Sequence, residues 1–92
     1  MIKSFQHKGL EEFWTKGSKK GIPTKQADKI DERLTVIDAA EKIEEINLPG
    51  YNLHELSGNR KGTWSVKVTG NYRITFEFTN GDAYVLDYED YH

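Results

Sequence analysis

Hydrophobic positions change their spacing midway along the chain, and the change divides it into a helical half and a strand half. In residues 7–16, Leu10, Phe13 and Trp14 fall three and four apart, the spacing that gathers side chains on one helix face. Gly17 follows where a left-handed residue would end that helix. Gly17-Ser18-Lys19-Lys20-Gly21 reads as a loop, and Pro23-Thr24 opens the longest helix, with Thr24 as its expected N-cap. The apolar stripe of this helix is Ala27, Ile30, Leu34, Ile37, Ala40 and Ile43, while Asp28, Asp31, Glu32, Asp38 and Glu41 occupy its other faces. Such a stripe predicts core rather than a groove for a partner. Leu48-Pro49-Gly50 ends the helical half, and residues 2–5 allow a short first strand.

From Tyr72 the period is two. Tyr72, Ile74, Phe76 and Phe78 alternate with Arg73, Thr75, Glu77 and Thr79, the pattern of a half-buried strand. Asn80-Gly81 signals a type I′ hairpin, which sets Thr79 opposite Asp82, Phe76 opposite Val85 and Arg73 opposite Tyr88. For the preceding strand, residues 64–68, two registers compete. A two-residue turn at Gly70-Asn71 would bring Ser65 and Lys67 to the face of Ile74 and Phe76. A three-residue loop, Thr69-Gly70-Asn71, instead pairs Val68 with Tyr72, Val66 with Ile74 and Trp64 with Phe76, and it buries every large apolar residue. The expected architecture is therefore α+β: a short N-terminal strand, two helices and an antiparallel three-stranded meander, in one domain over residues 1–92.

Composition narrows the function classes. With 92 residues and no cysteine, neither disulfides nor a thiolate metal site can supplement the core. His7, His54 and His92 are scattered, so nothing in their spacing favours a metal site, and no phosphate loop, zincin helix or serine elbow is present. No cofactor and no metal are expected. No run approaches the ~18 apolar residues of a membrane span. Met1-Ile2-Lys3-Ser4-Phe5 lacks the apolar stretch of a secretory signal, so a cytoplasmic protein without a membrane partner is expected.

The net charge of −2 hides segregation. Residues 1–25 hold six lysines and two acids, and residues 26–51 hold seven acids and three bases. Arg60, Lys61, Lys67 and Arg73 face only Glu55 in residues 52–73, and from Ile74 onward there are acids and no base. This is either ordinary surface charge or the makings of a local anion site. The preferred register gathers Ser65, Lys67, Arg73, Thr75, Tyr84 and Tyr88 on the sheet face turned from the helices, with Lys67 and Arg73 directly opposed. Like charges so placed repel, and a bound anion would relieve them. Tyrosines beside bases suit stacking on unpaired nucleobases. The same set also describes a solvated face on which Glu77 neutralises one base. What chemistry remains is acid–base work by histidine, tyrosine or carboxylate, with bases stabilising negative charge.

The chain resembles the HigB toxins of the RelE/ParE superfamily. The resemblance rests on Met1-Ile2-Lys3-Ser4-Phe5 with His7-Lys8-Gly9-Leu10, and on Tyr51, Leu53-His54, Leu56 and Gly58. It continues in Gly62, Trp64-Ser65 and Val68, in Asn71-Tyr72-Arg73-Ile74-Thr75-Phe76, in Asn80-Gly81-Asp82-Ala83-Tyr84 and in the closing Tyr88-Glu89-Asp90-Tyr91-His92. It implies a RelE-like fold and metal-free cleavage of mRNA in the ribosomal A site of the 30S subunit, leaving a cyclic phosphate. His54, Asp90, Tyr91 and His92 carry over as catalytic and Arg73 as the phosphate-stabilising base. Arg60, Lys61, Lys67, Tyr84 and Tyr88 are the expected RNA contacts. A HigA-type helix-turn-helix antitoxin is the implied partner, with operator DNA reached only through it. Taken alone, His54 would be a satisfied loop histidine and Asp90-Tyr91-His92 a frayed end. The sequence departs from the family pattern Leu-His-Pro-Leu-Lys-Gly at Glu55 and Ser57, losing a base and gaining an acid, for which Arg60 or Lys61 stands ready to compensate. A ParE-like topoisomerase inhibitor shares the fold but has no need of terminal acid–base residues.

Overall fold

Apolar spacing places the helices, and caps fix their ends. In the computed structural model, which describes residues 1–90, α1 (Lys8–Lys16) is capped by His7, whose Nδ1 accepts the Leu10 N–H at 3.0 Å. Gly17, at φ 73°, closes it by donating to the Glu12 and Phe13 carbonyls. The second helix differs from expectation at both ends. Thr24 is not an N-cap. It begins a 3-10 turn, Thr24–Gln26, without a side-chain cap, and α2 (Ala27–Ala39) continues from it. The chain then turns at Ala40, before Ile43, and the Glu45 carboxylate accepts the Glu41 N–H at 2.8 Å across the turn. A second 3-10 turn, Ile43–Ile46, delivers Ile46 to the core in place of a further helical turn.

The sheet has four strands in the order β1 (His54–Glu55), β2 (Thr63–Thr69), β3 (Tyr72–Thr79) and β4 (Asp82–Asp90), every neighbouring pair antiparallel. It exceeds the expected meander by β1. The expected first strand is reduced to two parallel bridges beside β4, Ile2 with Ala83 and Phe5 with Leu86. Leu10, Ile30, Leu34, Ile37 and Ile46 from the helical half meet Val66, Ile74, Phe76 and Leu86 from the sheet, all without solvent exposure. Arg33 ties the two layers together by a polar route. Its Nε donates to the Lys67 carbonyl at 2.9 Å, its Nη1 pairs with Glu32 at 2.7 Å, and its guanidinium lies 4.4 Å from the centre of the Tyr51 ring. The arginine is buried, although its bonds are only partly so and Glu32 is largely exposed.

Two bulges set the register. The Asn80-Gly81 turn has both residues at positive φ, 52° and 82°, and Thr79 faces Asp82 as expected. Between β2 and β3, Trp64 pairs with Phe76, Val66 with Ile74 and Lys67 with Arg73, also as expected. The loop is a different one. Thr69, not Val68, pairs with Tyr72, so the turn is the two-residue Gly70-Asn71, and a bulge at Val68 absorbs the extra residue. The bulge lets a tight turn coexist with a register that keeps Val66 and Val68 inside.

The second bulge changes the faces of β4. Glu77 pairs with Tyr84 but Thr75 with Asp87, so Val85 and Leu86 together stand against Phe76. Arg73 consequently faces Glu89, not Tyr88, and Tyr88 pairs with Ile74 on the helix side. The N-terminal segment satisfies the displaced backbone. Ser4 Oγ accepts the Val85 N–H at 2.9 Å, the Ser4 carbonyl accepts the Leu86 N–H at 3.1 Å, and the Leu86 carbonyl accepts from Gln6 and His7.

Val85 holds φ 56°, a left-handed conformation that costs a β-branched residue about 1–2 kcal/mol, and its side chain is exposed. Glycine would remove that strain and lose about 0.5–1 kcal/mol through its freer unfolded chain. Val85→Gly is therefore expected to raise stability by about 0.5–1 kcal/mol in urea denaturation. A loss of stability would show that the bulge rests on the valine side chain.

Candidate functional site

Directly opposed residues in antiparallel strands share a face, so the register defines rows across the side of the sheet turned from the helices. One row is His54, Ser65, Thr75 and Asp87. The next is Lys67, Arg73 and Glu89. A third is Thr63, Glu77 and Tyr84. The expected opposition of Lys67 and Arg73 is present, and His54 joins the same face from the edge strand. By strand spacing, His54 and Arg73 are about 12 Å apart at the backbone, within the combined reach of a histidine and an arginine leaning toward one ligand.

The His54 ring is held in one orientation. Its Nδ1 lies 3.0 Å from the Asn52 carbonyl, which can only accept, so Nδ1 carries the proton of the neutral ring and Nε2 keeps the lone pair. Asn52 turns the chain at φ 49°, a conformation asparagine tolerates. Glu55, one of the two departures from the family pattern, accepts the Gly62 N–H at 2.9 Å, and Leu56 N–H donates to the Thr63 carbonyl. These bonds close the segment that carries the 3-10 turn Gly58–Arg60 over the polar face.

That segment gives Arg60 a different role from the one expected. Its Nη1 and Nη2 donate to the two oxygens of Glu89 at 2.9 and 2.6 Å, and the Thr75 hydroxyl donates to the same carboxylate at 2.6 Å. Arg60's hydrogen bonds hold the Glu89 carboxyl below the usual carboxylate range, and Thr75 adds to the effect against the opposing influence of burial. Arg60 thus braces Glu89, while Lys61 and Lys67 remain exposed. A depression of about 210 Å³ opens beside this group over the β4 bulge, bordered by Gln6, Arg60, Glu77, Val85, Asp87 and Glu89.

Of the remaining expected residues, Tyr84 lies on the polar face beside Glu77. Tyr88 does not. It stacks on Tyr72 at 5.3 Å and meets the His7 ring edge-on at 6.1 Å, because the extra residue in β4 reverses its side. Burial, with Tyr72 and Asp90 nearby, raises its hydroxyl pKa well above the ordinary tyrosine value, so it stays protonated. Asp90 pairs with Tyr72, also off the row of Arg73. Tyr91 and His92 lie outside the described residues. Sequence reasoning missed Glu89, and the adjacent apolar pair Val85-Leu86, which breaks the alternation of β4, was the signal for it. Among the described residues, no three or more histidine, cysteine or acidic side chains form a metal-holding group, and no helix is long and apolar enough to cross a membrane.

The fold matches a solved one, the YoeB-YefM complex from Staphylococcus aureus, with a TM-score of 0.61 and 16% identity over 97% of this chain and 95% of that one. The likeness is one of fold, and it makes this α+β arrangement a RelE-like one. Residues 3–92 match the HigB-like toxin model, described as the RelE-like toxin of type II toxin-antitoxin system HigB, and the chain belongs to that family. It is 54% identical to Endoribonuclease HigB of Proteus vulgaris over 92 residues, covering 100% of both chains. It is 31% identical to Toxin HigB-1 of Vibrio cholerae serotype O1 over 85 residues, covering 90% of each.

The lowered Glu89 pKa fixes the sign of a pH effect. A carboxylate depressed in the folded state contributes its stability above the unfolded value and loses it as pH falls through the folded one. Glu89→Gln should cost about 1 kcal/mol at neutral pH, a figure kept small because Arg60 is partly exposed and solvent screens the pair. In urea titrations that difference should hold down to about pH 5 and shrink in more acidic buffer. A difference that persists undiminished at pH 2 would mean that Glu89 is not held as the anion.

Proposed function

We propose that this chain is the toxin of a type II toxin-antitoxin pair, an endoribonuclease that cuts mRNA on the ribosome with the RNA's own 2′-hydroxyl as nucleophile. The observation that carries the reading is the joining of His54, Lys67 and Arg73 on one open sheet face, in a chain 54% identical along its whole length to a protein named as an endoribonuclease. The rival, a solvated face without chemistry, does not account for two cations placed directly opposite each other across the strands.

In this reading the RNA lies across the rows of β1 to β4 on the polar face. The scissile phosphate sits between Lys67 and Arg73, where charge-assisted hydrogen bonds replace their mutual repulsion. The 2′-oxygen loses its proton and bonds to phosphorus, and the bond to the 5′-oxygen breaks, leaving a cyclic phosphate and a 5′-hydroxyl. His54 exchanges a proton through Nε2 at one end of this step. Asp90, Tyr91 or His92, assigned by the family resemblance, serves the other end. Arg73 stabilises the extra negative charge on the phosphoryl oxygens. Tyr84 offers a ring for a base to stack on, and the exposed Lys61 a further phosphate contact. No step calls on a metal ion. A helix-turn-helix antitoxin of the HigA type, which also carries the complex to operator DNA, would hold the toxin silent in the cytoplasm.

Arg73→Ala and His54→Ala are each expected to reduce cleavage of ribosome-bound mRNA by about 10²-fold or more. Arg73→Ala should leave stability unchanged or slightly improved, by less than about 1 kcal/mol, because it removes the repulsion from Lys67. Mapping of cut sites and thermal melts measure the two effects. A clearly lower melting temperature with normal cutting would make Arg73 structural, and products ending in a 3′-hydroxyl would exclude the 2′-hydroxyl route.

Expression of the wild-type chain alone should arrest growth, and co-expression of the neighbouring antitoxin should restore it. Harmless accumulation of the folded, unmutated chain would sink the toxin assignment.

A further inference from the structure

We infer that Arg60 is a further phosphate-binding group of the cleavage face, held on Glu89 in the free protein and passed to an RNA phosphate on binding, which uncovers the Ser65 hydroxyl. The inference rests on the RNA-cleavage reading above.

Ser65 lies on the sheet face turned from the helices, between His54 on β1 and Thr75 on β3, where a small polar side chain should meet water. It is instead fully buried, and its Oγ has no hydrogen-bond partner among the described residues. A hydroxyl shut away from water without a partner destabilises the arrangement that encloses it. Arg60 belongs to the segment joining β1 to β2, and Glu89 belongs to β4. In the order β1-β2-β3-β4 their contact therefore spans the two strands that carry Ser65 and Thr75. Thr75 is buried too, but its hydroxyl donates to Glu89. The Arg60–Glu89 bridge thus covers one satisfied hydroxyl and one orphan.

The cover is held by polar bonds that an anion can replace. Gly58 and Gly62 bracket Arg60 at φ 69° and 98°, and a side chain at either would meet no atom, so packing does not pin the segment at these points. The Arg60 side chain remains 40% exposed, which lets a ligand reach the guanidinium before Glu89 gives it up. Its planar fork donates to both carboxylate oxygens, at 2.9 and 2.6 Å, and two oxygens of a phosphate fit the same fork. Exchanging one anion for the other conserves the arginine's hydrogen bonds and leaves Glu89 with the Thr75 hydroxyl and water. It also gives Ser65 an acceptor on the RNA. A static brace would leave Ser65 unpaired in every state and would add no phosphate contact.

The test uses ribosomes programmed with mRNA that carries 2′-O-methyl groups in the A site, so that it binds without being cut. Affinity is measured between about 50 and 200 mM salt at constant magnesium. The double variant Arg60→Gln with Glu89→Gln removes the bridge and leaves the net charge as it was. It should bind about 10-fold more weakly. Its plot of log affinity against log salt should be shallower by about 0.7, the loss of one phosphate contact to single-stranded RNA. Glu89→Gln alone, which releases Arg60, should bind up to about 5-fold more tightly than the wild type. Ser65→Ala should melt no lower and bind about 3-fold more weakly. A double variant with the wild-type affinity and slope overturns the inference, and wild-type binding by Ser65→Ala overturns the part assigned to the hydroxyl. Should the double variant not fold, the structure of the wild-type chain on the same ribosomes decides. Arg60 on phosphate oxygens upholds the transfer, and Arg60 still paired with Glu89 refutes it. A wild type that binds this mRNA but leaves the unmodified one uncut would sink the cleavage reading alone, and one that binds neither would sink both.

Discussion

Two residues of β4, Val85 and Leu86, stand against one residue of β3, and the character of both faces of the sheet follows from that single extra residue. With strict alternation, one tyrosine would sit among the cations. With the bulge, Tyr88 joins the aromatic contacts on the helix side and Glu89 takes its place beside Arg73. The bulge is tolerable because its backbone groups are not left open. Ser4 meets two of its N–H groups, and Gln6 and His7 donate to its carbonyl. The first residues of the chain thus support the face from behind the edge of β4, although they carry none of its chemistry.

The polar face is also held from the other side. Arg33 in α2 donates to the carbonyl of Lys67, so the backbone of the residue opposite Arg73 is tied to the main helix through a partly buried bond. The segment over the face is closed by Glu55 and delivers Arg60 to Glu89. Lys67 therefore has a backbone support and Arg60 a counter-charge, and the near-neutral net charge of the chain is compatible with a structured local field. The two departures from the family pattern separate here. Glu55 has taken on a structural bond, while nothing in the structure explains Ser57.

Family membership and local geometry contribute different things to the functional reading. The match over residues 3–92 identifies the kind of protein. It does not tell how each cation is held, and the geometry adds that Arg60 is bonded to Glu89 while Lys67 is exposed. The fold alone would say less still, since a neighbour at 16% identity shares the architecture and little of the sequence.

Local patterning by itself determined α1 with its Gly17 end, the core stripe of α2 through Ile37, the Asn80-Gly81 hairpin and the opposition of Lys67 to Arg73. Each of these is set by residues a few positions apart, whose apolar spacing or turn preference outweighs anything distant. Tertiary structure decided the end of α2, the pairing of β1, the short turn with its bulge at Val68 and the face of every residue after Val85. In β4 the bulge adds one residue, and its only local trace is the adjacent apolar pair Val85-Leu86. Its stability comes from hydrogen bonds to residues some eighty positions away, and no local window contains both partners.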